Sequence, residues 1–242
     1  MRKLEPSPTV ITSQPEVAEV VEKNPRTVRF SEAIWFEPGI EVVIGGVGSI
    51  GSHLAYFLSR QACNLHLFDM DVVDATNLGG QLYPESTEGM QKTTALDNFL
   101  GNYGQSKEIS TYDKYQEDSI YSKYMFSCFD NMEARRIMFE NWKKNTNPNK
   151  IFIDGRMSAE MGQAYFVTAD KTEEYEKTLF VDAAVPDAPC TYKSTTHCGA
   201  LLAAYMVSGF NNHIGNSKLK VPYREVPFKA EFNLQLFKFD KE

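Results

Sequence analysis

The sequence predicts an α/β chain built on a doubly wound, mostly parallel sheet, with an antiparallel extension toward the C-terminus. Three observations predict it. A short apolar run, Val42-Val43-Ile44, leads directly into Gly45, Gly46 and Gly48. A helical pattern follows from Ser49 to Arg60, with Ile50, Leu54, Phe57 and Leu58 on one face. A second apolar run, through Leu65, Leu67 and Phe68, ends in Asp69. Short runs that are apolar on both faces suit strands buried in a parallel sheet. Glycines between strand and helix let the backbone turn tightly and approach a ligand.

The chain N-terminal to this unit reads differently. Residues 1–30 are set apart as an N-terminal arm, and residues 31–242 as one nucleotide-binding domain. Pro6 and Pro8 stand among polar residues, and Pro15 to Lys23 has the spacing of one short helix. After the opening unit, Ser86 to Asn102 reads as a helix, with Met90, Leu96, Phe99 and Leu100 apolar and Lys92 polar among them. Glu108 to Tyr112 reads as a third strand, and Asp113 to Tyr124 as polar and partly helical. Met125 to Phe129 reads as a fourth, buried strand with Asp130 at its carboxyl end.

Asn131 to Asn145 is predicted helical, with Ile137, Met138 and Trp142 inward, and Asn147-Pro148-Asn149 ends it. Ile151 to Ile153 is a fifth strand and Gln163 to Thr168 an antiparallel sixth. Lys171 to Lys177 is a charged helix with a solvated face, and Val181 to Cys190 a loop. Ser194 to Phe210 is an Ala-rich buried helix, and Lys218 to Phe239 one or two terminal strands. In open α/β sheets ligands bind outside the carboxyl ends of the strands, so Asp69 and Asp130 are expected to face one crevice.

Composition narrows the function classes. The chain has 242 residues, 42% hydrophobic and 24% charged, and a formal net charge of −7. That balance suits a globular domain and argues against a nucleic-acid groove. No apolar run approaches the length of a membrane span. The first residues lack an apolar signal core, and four cysteines without a disulfide frame point to a reducing cytoplasm.

Gly46, Gly48 and Gly51 fit G-x-G-x-x-G, and an acid follows about 20 residues on, as in dinucleotide folds. The turn thus reads as a Rossmann-like phosphate cradle. The residues beyond the second strand are more specific than the glycines. Asp69-Met70-Asp71-x-Val73 runs into Asn77-Leu78-x-x-Gln81, then Gly89-x-x-Lys92-x-x-x-Leu96, then Phe129-Asp130-Asn131-x-x-x-Arg135. In this ordered set the sequence resembles the ThiF/MoeB-type adenylyltransferases, the superfamily of the ubiquitin-activating enzymes. The resemblance covers Val42 to Gln163 well and the remainder to Phe210 loosely.

The resemblance implies an enzyme that binds ATP with Mg2+ and adenylates the C-terminal carboxylate of a small ubiquitin-like or sulfur-carrier-like protein. It implies a homodimer, with an N-terminal arginine donated across it; Arg26 and Arg29 are the candidates, although no motif fixes which, and two solvated surface arginines are the favoured alternative. By the same resemblance Asp69 holds the ribose, Asp71, Asn77, Gln81 and Asn131 line the nucleotide, Lys92 contacts the phosphates, and Asp130 holds the magnesium. The turn at Gly45, Gly46 and Gly48 cradles phosphate at a helix N-terminus. Adenylation spreads negative charge over the phosphates, so cations and a metal are the chemistry required.

Three departures stand out. The family's middle glycine is Ser49, the arginine expected before Gln81 is Gly80, and the paired CxxC zinc motifs are absent, so no structural zinc is expected. Arg156 follows the fifth strand and is the in-chain candidate to replace the missing arginine; a surface pair with an acid such as Glu160 is the alternative. Cys198 stands at a loop-to-helix junction, where a lowered thiol pKa could suit a thioester nucleophile; a small buried residue is the alternative. Other functional readings stay open: adenylation of a small carboxylate or a tRNA base, a scaffold that has lost catalysis at Gly80, and an NAD-dependent oxidoreductase. The last leaves Lys92 and the Asp130-Asn131 pair unexplained.

Overall fold

The computed structural model describes residues 25–180 and 195–242. The predicted helix Pro15–Lys23, the loop Val181–Cys190 and Cys190 itself lie outside the described residues. The first strand, β1 (Glu41–Gly45), leads through the glycine turn into helix α1 (Gly51–Arg60) and strand β2 (Asn64–Phe68). Helix α2 (Lys92–Tyr103), strand β3 (Ile109–Tyr112), strand β4 (Tyr124–Ser127) and helix α3 (Met132–Lys143) follow. The second half comprises β5 (Ile151–Ser158), β6 (Met161–Thr168), α4 (Thr172–Glu176), α5 (Thr196–Ser217), β7 (Lys229–Asn233) and β8 (Lys238–Lys241).

These strands form one eight-stranded sheet in the order β3-β2-β1-β4-β5-β6-β7-β8. β3 through β5 are parallel, and β5 through β8 pair antiparallel. The chain winds outward from β1 in both directions, so a topological switch point lies between β1 and β4. Burial alternates with period two along the strands. Val42, Ile44, Leu67 and Phe126 pack on the face covered by α1, α2 and α5. Val43, Phe68, Met125 and Phe152 pack on the face that carries Phe139 and Trp142 of α3 and Tyr175 of α4. Both faces of the central strands are thus buried, which is why β1 and β4 read as continuous apolar runs.

Several elements differ from the sequence reading: α5 runs on to Ser217 rather than Phe210, and the terminal strands begin at Lys229 rather than Lys218. α2 starts at Lys92 rather than Ser86, because Gly89 takes φ of 81° and Val72 bridges to Gln91. Residues 113–123 contain no helix. β5 continues to Ser158, so Asp154, Gly155 and Arg156 lie inside the strand rather than after it. α4 is not merely a solvated face, since Tyr175 is fully buried under it.

Candidate nucleotide site

The turn after β1 is held by backbone bonds from both neighbouring strands. Gly46 N–H donates to Phe68 C=O at 2.8 Å, and Cys128 N–H donates to Gly45 C=O at 2.7 Å. Gly46 has φ of 80°, and a Cβ there would lie 2.8 Å from the Cys128 carbonyl oxygen. A Cβ on Gly51 would lie 1.9 Å from the Gly46 carbonyl oxygen. Gly48 differs: a Cβ there would meet only Gln81 Nε2, at 3.9 Å. Gly46 and Gly51 are therefore required by packing, whereas a Cβ at Gly48 would meet open space apart from Gln81. Helix α1 begins at Ile50 without a side-chain cap and with no acid in its first turn. Ser52 N–H already donates to Gly48 C=O at 3.0 Å, so the helix end offers an external acceptor the N–H groups that precede it.

Asp69 sits against this turn. Its Oδ2 accepts from Val47 N–H at 2.8 Å and its Oδ1 from Asp71 N–H at 2.9 Å. Each carboxylate oxygen retains acceptor capacity beyond one bond. Burial pushes the Asp69 carboxyl above its ordinary range, and the Lys92 ammonium and the two backbone bonds oppose that rise. Lys92 opens α2 with its side chain only 8% exposed, and its Nζ donates to Asp71 Oδ2 at 2.8 Å. Two acids and one buried ammonium therefore share the mouth of the turn. Gln81 lies beside Gly48, and its Oε1 is buried with no hydrogen-bond partner. An orphaned acceptor next to an open glycine fits a site awaiting a donor.

Asp130 is exposed beyond the end of β4, with Asn131 Nδ2 at 3.3 Å from its Oδ1. Phe68 and Ser127 flank Gly45 in register, so Asp69 and Asp130 leave the sheet on the two sides of β1. Two strand spacings separate those ends by roughly 10 Å. Asn131 caps α3 by accepting from Ala134 N–H at 2.8 Å.

Other expected site residues go elsewhere. Asn77 Oδ1 accepts from Asp74 N–H at 3.1 Å, closing a capping box with Asp74 and Thr76 in a short 3-10 turn. Arg156 does not reach the Asp69 group. Its Nε donates to Asp154 Oδ2 at 2.7 Å, its Nη1 and Nη2 bond Thr178 at 3.0 and 2.9 Å, and it stacks over Tyr165. Nor does it pair with Glu160. Cys198 is fully buried at the start of α5, and burial, aided by Glu160, pushes its thiol up to about 11. The expected low pKa at a helix N-terminus is reversed by desolvation, so the thiol is a core residue and poorly suited to thioester formation.

Some contacts at the site carry no signal in the sequence. Tyr83 is buried and donates its hydroxyl to Val47 C=O at 2.6 Å, which pins the turn from outside. His53 Nδ1 lies 2.8 Å from Ser49 C=O. Thr196 Oγ1 donates to Gly79 C=O, and Gly199 brings α5 against Ser49, where a Cβ would lie 2.6 Å from the Ser49 carbonyl oxygen. α5 thus closes the turn from the C-terminal half of the chain.

The ThiF family matches residues 39–224. The chain belongs to the ThiF family. The matched span runs from just before β1 to just beyond α5, so it takes in every site residue above. Among solved structures, PaaA superposes with a TM-score of 0.68 at 16% identity, covering 96% of this chain and 77% of PaaA. Escherichia coli MccB bound to succinimide gives 0.63 at 16% identity over 84% of this chain. Escherichia coli MccB bound to ATP gives 0.63 at 16% identity, over 90% of this chain and 71% of that one. These likenesses show a shared ThiF-type fold. The chain spans 63% of the length of the succinimide-bound MccB. No curated protein sequence matches the chain. No helix among the described residues is long and apolar enough to cross a membrane.

Proposed function

We propose that the chain is an ATP-dependent adenylyltransferase acting on the C-terminal carboxylate of a peptide or small protein of the ubiquitin-like or sulfur-carrier-like type. The observation that carries this reading is Lys92. A buried ammonium is costly unless it has work or a partner. Here it stands at the mouth of an open glycine turn, paired to one acid and beside another. The dinucleotide oxidoreductase reading leaves that cation unexplained. MccB, of the same fold, is known in complexes with ATP and with MccA, which supports a site that takes a nucleotide and a second substrate.

The residues present fit ATP. In this reading Asp69 accepts the ribose hydroxyls, the N–H groups of residues 48–51 receive phosphate oxygens, and Lys92 holds a phosphate in place. The open space at Gly48 lets the backbone approach the phosphates, and the Nε2 of Gln81 beside it is a donor for them, its Oε1 being left for a hydroxyl of the nucleotide. Asp130 fits magnesium, which takes few protein oxygens and keeps its waters. Among the described residues no group of three or more acidic, histidine or cysteine side chains is gathered, and this reading asks for one carboxylate only. Bound magnesium supplies the positive charge that offsets negative charge developing on the phosphates. The substrate carboxylate then attacks the α-phosphorus and pyrophosphate leaves.

The test is ATP–pyrophosphate exchange stimulated by candidate peptides with a free carboxylate, with calorimetry comparing ATP and NAD. ATP should bind and NAD should not. Asp130→Ala should abolish exchange yet keep adenosine binding, because Asp69 is untouched. Exchange at the wild-type rate in that variant removes Asp130 from the mechanism. A protein that binds ATP tightly but never exchanges pyrophosphate supports the scaffold reading, which the glycine at Gly80 favours.

A further inference from the structure

Behind Asp130 lies a buried ionic cluster. Asp154, in the middle of β5, is fully buried, and its carboxylate accepts three donors. Oδ1 accepts from Arg135 Nη1 of α3; Oδ2 accepts from Arg156 Nε at 2.7 Å and from the Tyr175 hydroxyl at 3.0 Å. Arg135 is itself only 5% exposed. Its Nη1 reaches Gly155 C=O at 3.0 Å, and its Nη2 donates to Phe129 C=O. Phe129 immediately precedes Asp130.

Burying two guanidiniums and a carboxylate is weak evidence for stability, since packed apolar residues of similar volume commonly do as well or better. Such a cluster fixes geometry. Here the geometry it fixes is that of one short segment. The Phe129 ring lies where a Cβ on Gly45 would meet it at 2.4 Å, and the Cys128 carbonyl lies against Gly46. The ring and the peptide behind it are therefore clamped to the glycine turn. The guanidinium of Arg135 holds the next carbonyl from the opposite side. Asp130 projects from the end of this clamped segment into solvent.

We propose that Asp154 is a positioning residue for nucleotide-bound metal: it orients Arg135, which fixes the Phe129 carbonyl and through it the carboxylate of Asp130. The proposal rests on the reading of Asp130 as the magnesium-holding residue. Tyr175 and Arg156 hold the second oxygen of Asp154 and so set the plane of its carboxylate. The helix α4 therefore bears on the metal site although its residues lie on the far side of β5. A carboxylate that acts alone on a metal depends strongly on placement, because displacements near 1 Å cost on the order of a hundredfold in a reacting geometry.

The experiment follows Mn2+ by electron paramagnetic resonance as it binds in the presence of a non-hydrolysable ATP analogue. Asp154→Asn leaves two buried guanidiniums without a counter-charge and is prone to unfold, so Tyr175→Phe and Arg135→Lys are measured beside it. Tyr175→Phe removes one neutral donor, and the Mn2+ concentration for half-saturation should rise about 3- to 10-fold. Arg135→Lys loses the fork that spans Asp154 and Phe129, and the rise should be about tenfold or more. Adenosine affinity should stay within about twofold of wild type in both, which a general loosening of the fold would not allow. Folded Tyr175→Phe and Arg135→Lys proteins that bind Mn2+ as wild type does overturn the proposal. If Asp130→Ala also binds Mn2+ as wild type does, the reading of Asp130 itself falls, and the proposal with it.

Discussion

Replacing Lys92 by methionine separates its electrostatic role from its packing. Methionine keeps an unbranched stem of similar length, so the buried volume under α2 stays filled. What is lost is an ammonium 2.8 Å from Asp71, with the lysine side chain 8% exposed and the aspartate 57% exposed. Exposed ion pairs contribute about 0.2–1 kcal/mol, and breaking a fully buried one costs about 3–5 kcal/mol. With one partner wet, the loss of stability should be about 1 kcal/mol. The nucleotide should feel more. An ammonium has three donors and Asp71 takes one, so the others remain for phosphate. A hydrogen bond to a charged group contributes about 1.5–3 kcal/mol, or about 10- to 150-fold in affinity. Calorimetry should show that loss for ATP and little change for adenosine. A folded Lys92→Met protein that binds ATP as tightly as wild type refutes the assignment.

The same variant has a signature in pH. Desolvation raises the Asp69 carboxyl above its ordinary value of 3.8, and Lys92 restrains the rise. A carboxyl that is raised in the folded state binds more protons there than in the unfolded chain. Its contribution to stability is therefore greatest at low pH and falls as pH climbs from the unfolded value through the folded one. Without Lys92 the folded value moves higher and the fall extends further. The deficit of Lys92→Met relative to wild type should accordingly widen as pH rises from about 4 to about 7. A melting-temperature difference that is flat across that range would show that Lys92 and Asp69 do not interact.

Three further outcomes are expected at the site. Gly46→Ala should lose at least about 1–3 kcal/mol in chemical denaturation, because positive φ and the Cys128 carbonyl both oppose a Cβ; Gly48→Ala, with open space before it, should keep wild-type stability and lose ATP affinity in calorimetry. Arg156→Ala should lose about 2 kcal/mol, less than a fully orphaned ion pair because Asp154 keeps Arg135; the melting temperature should drop about 4–8 °C, and adding Gly80→Arg should restore nothing. Cys198→Ala should retain full pyrophosphate exchange, since a buried thiol raised to about 11 is a poor nucleophile at neutral pH, and loss of a substrate–thioester band in this variant would contradict that.

The parallel half of the sheet was legible because its physics is local. Apolar triplets such as Val42-Val43-Ile44 are buried on both faces, glycines mark the turn after them, and acids mark the strand ends. The start of α2 was not legible, because Ser86 to Met90 is compatible with a helix until Gly89 takes positive φ and Val72 captures Gln91. Asp69, Lys92 and the glycines were found where the motif spacing placed them. Tyr83 and Thr196 were not, since the carbonyls they bind at Val47 and Gly79 are brought near only by folding.

Arg156 shows how polarity misleads within a strand. In sequence, Asp154-Gly155-Arg156 reads as the end of a short apolar run, and an arginine beyond a strand end points to the ligand crevice. In the fold the same residues continue β5 for a further turn of the pleat, paired in register with Tyr165, Ala164 and Gln163 of β6. An aspartate can occupy the middle of a buried strand only if donors meet it there, and those come from α3, from α4 and from two residues along its own strand. None of these partners is visible as a spacing, because α3 and α4 reach Asp154 through tertiary packing. The arginine expected to compensate for Gly80 is instead part of what allows Asp154 to be buried. In the proposed reading the phosphate site then functions on Lys92, the backbone donors of the turn and a metal at Asp130, or takes its arginine from the Arg26–Arg29 segment of a second copy. Mixing an Arg26→Ala, Arg29→Ala protein with a Lys92→Met protein decides between these: exchange recovered in the mixture requires a shared site, and exchange that stays at the sum of the two variants confines the site to one chain.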